Sequence, residues 1–201
     1  MKNLCAAVLA LLFAIPALAS SSDADPETLI RAMTQEVLAA ARADREIAAG
    51  GAKALRLAEE RIFPLVDFEE ATRLALGRFW LRASKAQQEK LVAEFRALLV
   101  RTTSAGQRYE GQTVKVLPVR MKAGDTDVTV RNQYLRPGAP PLRLDYQMYK
   151  TGEGWKIYDI VVEGVSLVLA YRAEFEQLAR EQGIDGLIRR LAEKNASGKT
   201  G

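Results

Sequence analysis

Three carboxylates, Asp145, Asp159 and Glu163, fall on or beside strand-like stretches and are the side chains whose type and placement could do chemistry. A carboxylate held in an apolar cavity can be tuned to move a proton. The plain alternative is an ion pair, since Arg143 and Lys156 lie close by in sequence. Other reaction types are closed. The chain has no histidine and one cysteine, Cys5, within its apolar N-terminal run, so Ser-His, Cys-His and histidine- or thiolate-ligated metal sites are excluded. Glycine-rich phosphate loops are absent too, and no cofactor or metal is expected. Arg172, next to Tyr171, could meet a phosphate, or else pair with Glu174 or Glu176.

The other candidate chemistry is apolar. Trp155 to Val162 is aromatic or β-branched at most positions, which reads as a well-buried strand. Together with Tyr146 and Met148 it carries more apolar surface than one face of a four-stranded sheet has to bury. The surplus either fills a core or lines a cavity. Glu163-Gly164 breaks this strand, and Val165, Val168, Tyr171, Phe175 and Leu178 then recur at steps of three and four, predicting that an amphipathic helix follows at once and faces the sheet.

The elements that must position these residues can be read in order. Asp25-Pro26 caps a first helix with Leu29, Met33, Val37, Ala40 and Ala41 on its apolar stripe, ending before Gly50-Gly51. Ala52 to Phe63 forms a second helix, stopped by Pro64. Capping boxes at Asp67/Glu70 and Ser84/Gln87 open two more, the latter with the long stripe Leu91, Phe95, Leu98, Leu99. Phe79-Trp80-Leu81 between them is an apolar turn that either packs on a helix or touches a ligand. After Gly111 the period changes to two, through Val114–Val116, Val128–Arg131 and Leu142–Met148. Gly124-Asp125, Pro137-Gly138 and Gly152-Glu153-Gly154 serve as short connections. This predicts a four-stranded antiparallel meander covered by helices, an α+β domain. Asp185 is expected to cap a last helix through Leu187, Ile188 and Leu191, and 195–201 to be a disordered tail.

Residues 1–19 have Lys2, an apolar run from Leu4 to Ile15 and Ala17-Leu18-Ala19, the pattern of a cleaved secretory signal peptide. Residues 20–194 are then one domain, long enough to bury a core without disulfides. A net charge of +4 with both signs interspersed disfavours nucleic-acid binding.

Several ordered stretches resemble the MlaC, or toluene-tolerance, family of periplasmic phospholipid-binding proteins. They are Pro64-Leu65-Val66-Asp67-Phe68, Leu76-Gly77-Arg78-Phe79-Trp80, Asp145-Tyr146 with Met148, Trp155 to Asp159, Glu163 to Val168, and Tyr171-Arg172 with Phe175. Ala170 stands where the family would place Asn, and Thr103-Ser104-Ala105 lacks the family's usual aromatic. The resemblance implies a cone-like α+β fold with an apolar lipid cavity between sheet and helices. Its lining is expected from Trp80, Phe95, Leu98, Val130, Tyr134, Tyr146, Met148, Ile157, Ile160, Val165, Val168, Tyr171 and Arg172.

It further implies a monomeric, non-enzymatic periplasmic carrier of glycerophospholipid. Its partners would be an outer-membrane lipoprotein-porin complex and the lipid-binding subunit of an inner-membrane ABC transporter, and its task the maintenance of outer-membrane lipid asymmetry. The residues alone leave two alternatives: a small enzyme using one of the strand carboxylates, or a packed helical adaptor with no ligand.

Overall fold

The computed structural model describes residues 24–104 and 111–197. The proposed signal peptide and residues 198–201 lie outside them.

Helix α1, Pro26–Ala43, begins where Asp25 accepts a hydrogen bond from Thr28 N at 3.0 Å and proline occupies the first turn, where its missing N–H costs nothing. Its stripe Ile30, Met33, Val37 and Ala41 is buried. A separate short helix, α2 (Arg45–Ala48), precedes Gly50 and Gly51, both at positive φ, and α3 (Ala52–Arg61) follows. Phe63–Leu65 turns as 3-10 helix around Pro64 into α4, Phe68–Leu76. Asp67 caps α4, accepting from Glu70 N at 2.8 Å, but the Glu70 side chain turns to Arg73, so the reciprocal half of the expected box is not made. At Ser84 the box closes both ways: Ser84 N donates to Gln87 Oε1 at 3.0 Å and Gln87 N to Ser84 Oγ at 3.3 Å, opening α5, Lys85–Ser104.

The sheet has five strands where the sequence suggested four: β1 Thr113–Val116, β2 Asp127–Leu135, β3 Leu142–Thr151, β4 Gly154–Val162 and β5 Val165–Ser166. They pair antiparallel in the order β1-β2-β3-β4-β5, an uninterrupted meander. The fifth strand corrects the reading of Val165 as a helix start. Glu163 at φ 49 and Gly164 at φ 85 make a two-residue turn, so the chain doubles back and Val165 pairs with Val162. The helix, α6, runs Arg172–Ser197 after a 3-10 turn at Leu169–Tyr171. It kinks at Gly183, φ 69, just ahead of the expected cap at Asp185. Asn195 to Ser197, placed in the tail by sequence, are its last turn, with Asn195 Nδ2 donating to Glu94 O at 2.9 Å and to Glu94 Oε2 at 2.8 Å.

Two cores result. One is helical, with Phe95, Leu91 and Leu98 of α5 against Phe175, Leu187 and Leu191 of α6. The other joins α1 to the sheet through Ile30, Met33, Val130, Tyr146, Met148 and Ile157.

Candidate functional site

Between these cores lies a cavity of about 480 Å³. One wall is the sheet, through Tyr134, Leu142, Leu144, Tyr146, Ile157, Ile160 and Val162. Met33, Thr34, Val37 and Leu38 of α1 and Ala54, Leu55 and Ala58 of α3 form the facing wall. Ile62, Phe63, Val66, Phe68 and Ala71 close it beside α4.

Local backbone geometry explains why β4 is apolar at both parities. Met148 pairs with Ile157 but Gln147 with Asp159, so Tyr158 is an extra residue opposite β3. This bulge moves the inward phase from Trp155 and Ile157 to Ile160 and Val162. Tyr158 itself reaches Asp127, its hydroxyl donating to Oδ2 at 3.0 Å; burial and that carboxylate push its phenol up to about 12. Val66 forms a parallel bridge with Ile157, and Asp67 N donates to Ile157 O at 2.8 Å, which carries the sheet's edge into the floor of the cavity. Phe63 and Phe68 meet edge to face at 5.5 Å, with the Arg96 guanidinium 5.0 Å from each ring centroid.

Of the residues expected to form a lining, Tyr134, Tyr146, Ile157, Ile160 and Val168 surround the cavity. The others sit elsewhere, each for a packing reason. Phe95 and Leu98 are buried in the helical core because the stripe of α5 faces α6, and Trp80, on the 3-10 turn Gly77–Arg82 before α5, is buried in the same core. Val130 and Met148 are buried under α1, farther along the same sheet face. Val165 is exposed on the edge strand β5. Tyr171 stacks on Phe175 at 5.6 Å and meets Phe95 edge to face at 5.4 Å. Arg172 pairs with Glu176 and presses its guanidinium on Gly77, where an added Cβ would come within 2.8 Å of it.

Sequence reasoning missed the α1 and α3 walls. The sequence of α3 held no separate signal: it is amphipathic like the core helices, and only the structure shows that it has no buried residue because its apolar side lines the cavity.

The strand carboxylates are tied into the fold. Asp159 Oδ1 accepts from Ile160 N at 2.8 Å and Val168 N at 3.1 Å, and Oδ2 accepts from Ser166 Oγ. Those three donors pin the β4–β5 turn. Asp145 lies 3.6 Å from Arg143 Nε, and Glu163 Oε1 accepts from Arg143 N at 2.5 Å. Asp145 Oδ1 is buried without a hydrogen-bond partner among the described residues, but neither Asp145 nor Glu163 lines the cavity; Asp159 does, with both oxygens bonded. Among the described residues no helix is long and apolar enough to cross a membrane.

An antiparallel sheet holding an apolar cavity against a layer of helices defines the class: an α+β protein built around space instead of a closed core. The family model for the MlaC protein matches residues 31–193, and the chain belongs to the MlaC family. It is 27% identical over 135 residues, 65% of its length, to the intermembrane phospholipid transport system binding protein MlaC of Haemophilus influenzae. That match spans 63% of the Haemophilus protein. It also superposes, at a TM-score of 0.80 and 34% identity, on the phospholipid-binding protein from Ralstonia solanacearum solved in complex with a phospholipid. The superposition covers 88% of this chain and 100% of the other.

Proposed function

We propose that this protein is a periplasmic phospholipid carrier that binds acyl chains in the cavity between sheet and helices. In this role it shuttles lipid between an outer-membrane lipoprotein-porin complex and the lipid-binding subunit of an inner-membrane ABC transporter, and so maintains outer-membrane lipid asymmetry. The observation that carries the proposal is the cavity of about 480 Å³, within the size range of ligand sites, on a fold whose relative in Ralstonia holds a phospholipid. The N-terminal leader pattern supports export to the periplasm.

The physical requirement is simple. Each acyl CH₂ left in water costs about 0.8 kcal/mol, so a chain of about sixteen carbons costs about 12 kcal/mol to move unaided. A dry slot lowers that cost through many interchangeable contacts and needs no covalent step. The one strand carboxylate that lines the cavity, Asp159, has both oxygens bonded to the β4–β5 turn, which favours carriage over proton-transfer catalysis.

Native mass spectrometry of protein purified from cells tests the proposal, with lipid extraction to identify the cargo. Co-purified phospholipid is expected, monomeric with its carrier. A ligand-free mass, with no uptake from phospholipid vesicles, overturns it.

A further inference from the structure

The surface around Gly77 carries charge and apolar area that the cavity does not use. Between Glu70 and Glu89 the chain has four cations, Arg73, Arg78, Arg82 and Lys85, and no acid. Arg172 joins them from the start of α6, its guanidinium seated on Gly77, where an added Cβ would come within 2.8 Å of it. Arg73, Gly77, Arg78, Leu81 and Arg172 line a surface pocket of about 300 Å³, and none of the five borders the cavity.

Leu81, on the rim of this pocket, is at 85% the most exposed large apolar residue among those described. The turn that presents it is rigid. Phe79 and Trp80 beside it are buried, and Trp80 O accepts from Ala83 N at 3.2 Å and from Gln88 Nε2 at 3.0 Å. The guanidinium carbons of Arg78 and Arg82 lie 5.4 and 5.5 Å from the Phe79 ring centroid, which holds both charges on the same turn as Leu81. The acids paired here are Glu70, with Arg73, and Glu176, with Arg172 and Arg180. Two acids against Arg73, Arg78, Arg82 and Arg172 leave the face positive.

Positive charge around one projecting apolar side chain complements a bilayer with an anionic surface: guanidinia meet lipid phosphates, and the leucine enters the headgroup boundary. A protein partner fits less well, because the aromatic side chains that anchor protein interfaces, Phe79 and Trp80, are turned inward. We infer that the Gly77–Arg82 turn and Arg172 form a face that docks this protein reversibly on anionic phospholipid bilayers, with Leu81 inserted among the headgroups. A few arginines and one leucine give contact that is sensitive to salt and readily released. The face is separate from the cavity, so docking and lipid carriage can fail independently.

Vesicle flotation at low salt tests this, with phosphatidylcholine vesicles alone or containing about one-third phosphatidylglycerol. Wild type is expected to bind the mixed vesicles at least about ten-fold better than the neutral ones, and to lose most of that at about 0.5 M salt. Leu81→Ser changes an exposed side chain and should lower binding about five-fold at an unchanged melting temperature, the worth of little more than one CH₂ withdrawn from water. Arg78→Gln combined with Arg82→Gln should lower it about twenty-fold, near five-fold for each charge. Both guanidinia touch Phe79, so the melting temperature of that variant is followed too, and Leu81→Ser keeps the test decisive if it unfolds. Binding that follows the arginines but ignores Leu81→Ser is adsorption by charge alone and overturns the docking face. Displacement by millimolar glycerol 3-phosphate would make the pocket a site for a soluble phosphate and overturns it as well. A wild type that carries phospholipid by native mass spectrometry yet floats with neither vesicle overturns this inference and leaves the carrier reading standing; one that floats with the anionic vesicles but carries no phospholipid does the reverse.

Discussion

Tyr149 Oη donates to Asp67 Oδ2 at 2.5 Å, across 82 residues of sequence, while the other oxygen of that carboxylate caps α4 through Glu70 N at 2.8 Å. One side chain thus fastens the helical floor of the cavity to the sheet. Tyr149→Phe removes one charge-assisted hydrogen bond and should cost about 1–2 kcal/mol of stability in urea unfolding. Asp67→Ala removes the cap as well and should cost about 2–4 kcal/mol. Equal losses in the two variants would show that the cap contributes nothing.

Two tyrosines set an alkaline limit. The phenols of Tyr149 and Tyr158 are both raised above the usual value near 10, first by burial and then by hydrogen bonds to Asp67 and Asp127, Tyr158 to about 12. A raised acid favours its neutral form in the folded state. Its contribution is therefore complete below pH ~10 and is lost as pH climbs through the folded value. Unfolding free energy should fall between pH ~10 and ~12, and the Tyr149→Phe, Tyr158→Phe double variant should start lower but decline less over that interval. Parallel slopes for the two proteins would refute this.

Filling the cavity should separate carriage from stability. Ala58 of α3 lines the cavity half-exposed, so Ala58→Trp can enter the void without displacing packed atoms. Phospholipid occupancy by native mass spectrometry should drop at least five-fold, with the melting temperature kept or raised. Unaltered occupancy would mean the chains lie elsewhere.

The opposite behaviour is expected in the helical core. Phe95 is fully buried against Tyr171 and Phe175, with ring centroids 5.4 and 5.2 Å away, and it does not border the cavity. Phe95→Ala should cost about 3–5 kcal/mol, while the protein that remains folded carries phospholipid at the wild-type level. A loss of occupancy larger than the loss of folded protein would return Phe95 to the lipid site.

Asp159 distinguishes the carrier from an enzyme. Its carboxylate accepts from two backbone amides and the Ser166 hydroxyl, so Asp159→Asn replaces an acceptor with a donor facing N–H groups and should destabilise by about 1–3 kcal/mol. Asp145→Asn and Glu163→Gln should cost less, since Asp145 has one ion pair with Arg143 and a buried Oδ1 with no hydrogen bond among the described residues, and Glu163 accepts one bond from the Arg143 backbone N. All three should retain bound phospholipid. A variant that binds lipid normally yet accumulates an unconverted substrate would establish catalysis.

Local chemistry was enough to place most elements from sequence. Asp25-Pro26 and Ser84/Gln87 are caps whose partners lie within three residues, and the alternation in β2 and β3 follows from a pleat that repeats every two residues. The absence of histidine, and of thiols beyond Cys5, settled which chemistries this chain cannot perform. Tertiary structure decided what each apolar stripe faces. Leu91, Phe95 and Leu98 look like cavity wall or core with equal justice in one dimension, and only the packing of α5 on α6 makes them core. The stripe of α3 has the same periodicity, yet it meets a void. The fifth strand depended on Glu163 adopting a positive φ, which residue type does not announce. The bulge at Tyr158 set which residues of β4 point inward, because the phase of a strand is fixed by its partner. Which arginine borders the cavity was likewise a matter of topology: Arg172 stands in the signature but turns to Glu176, whereas Arg136 sits in an ordinary Pro-Gly turn that the meander carries to its wall.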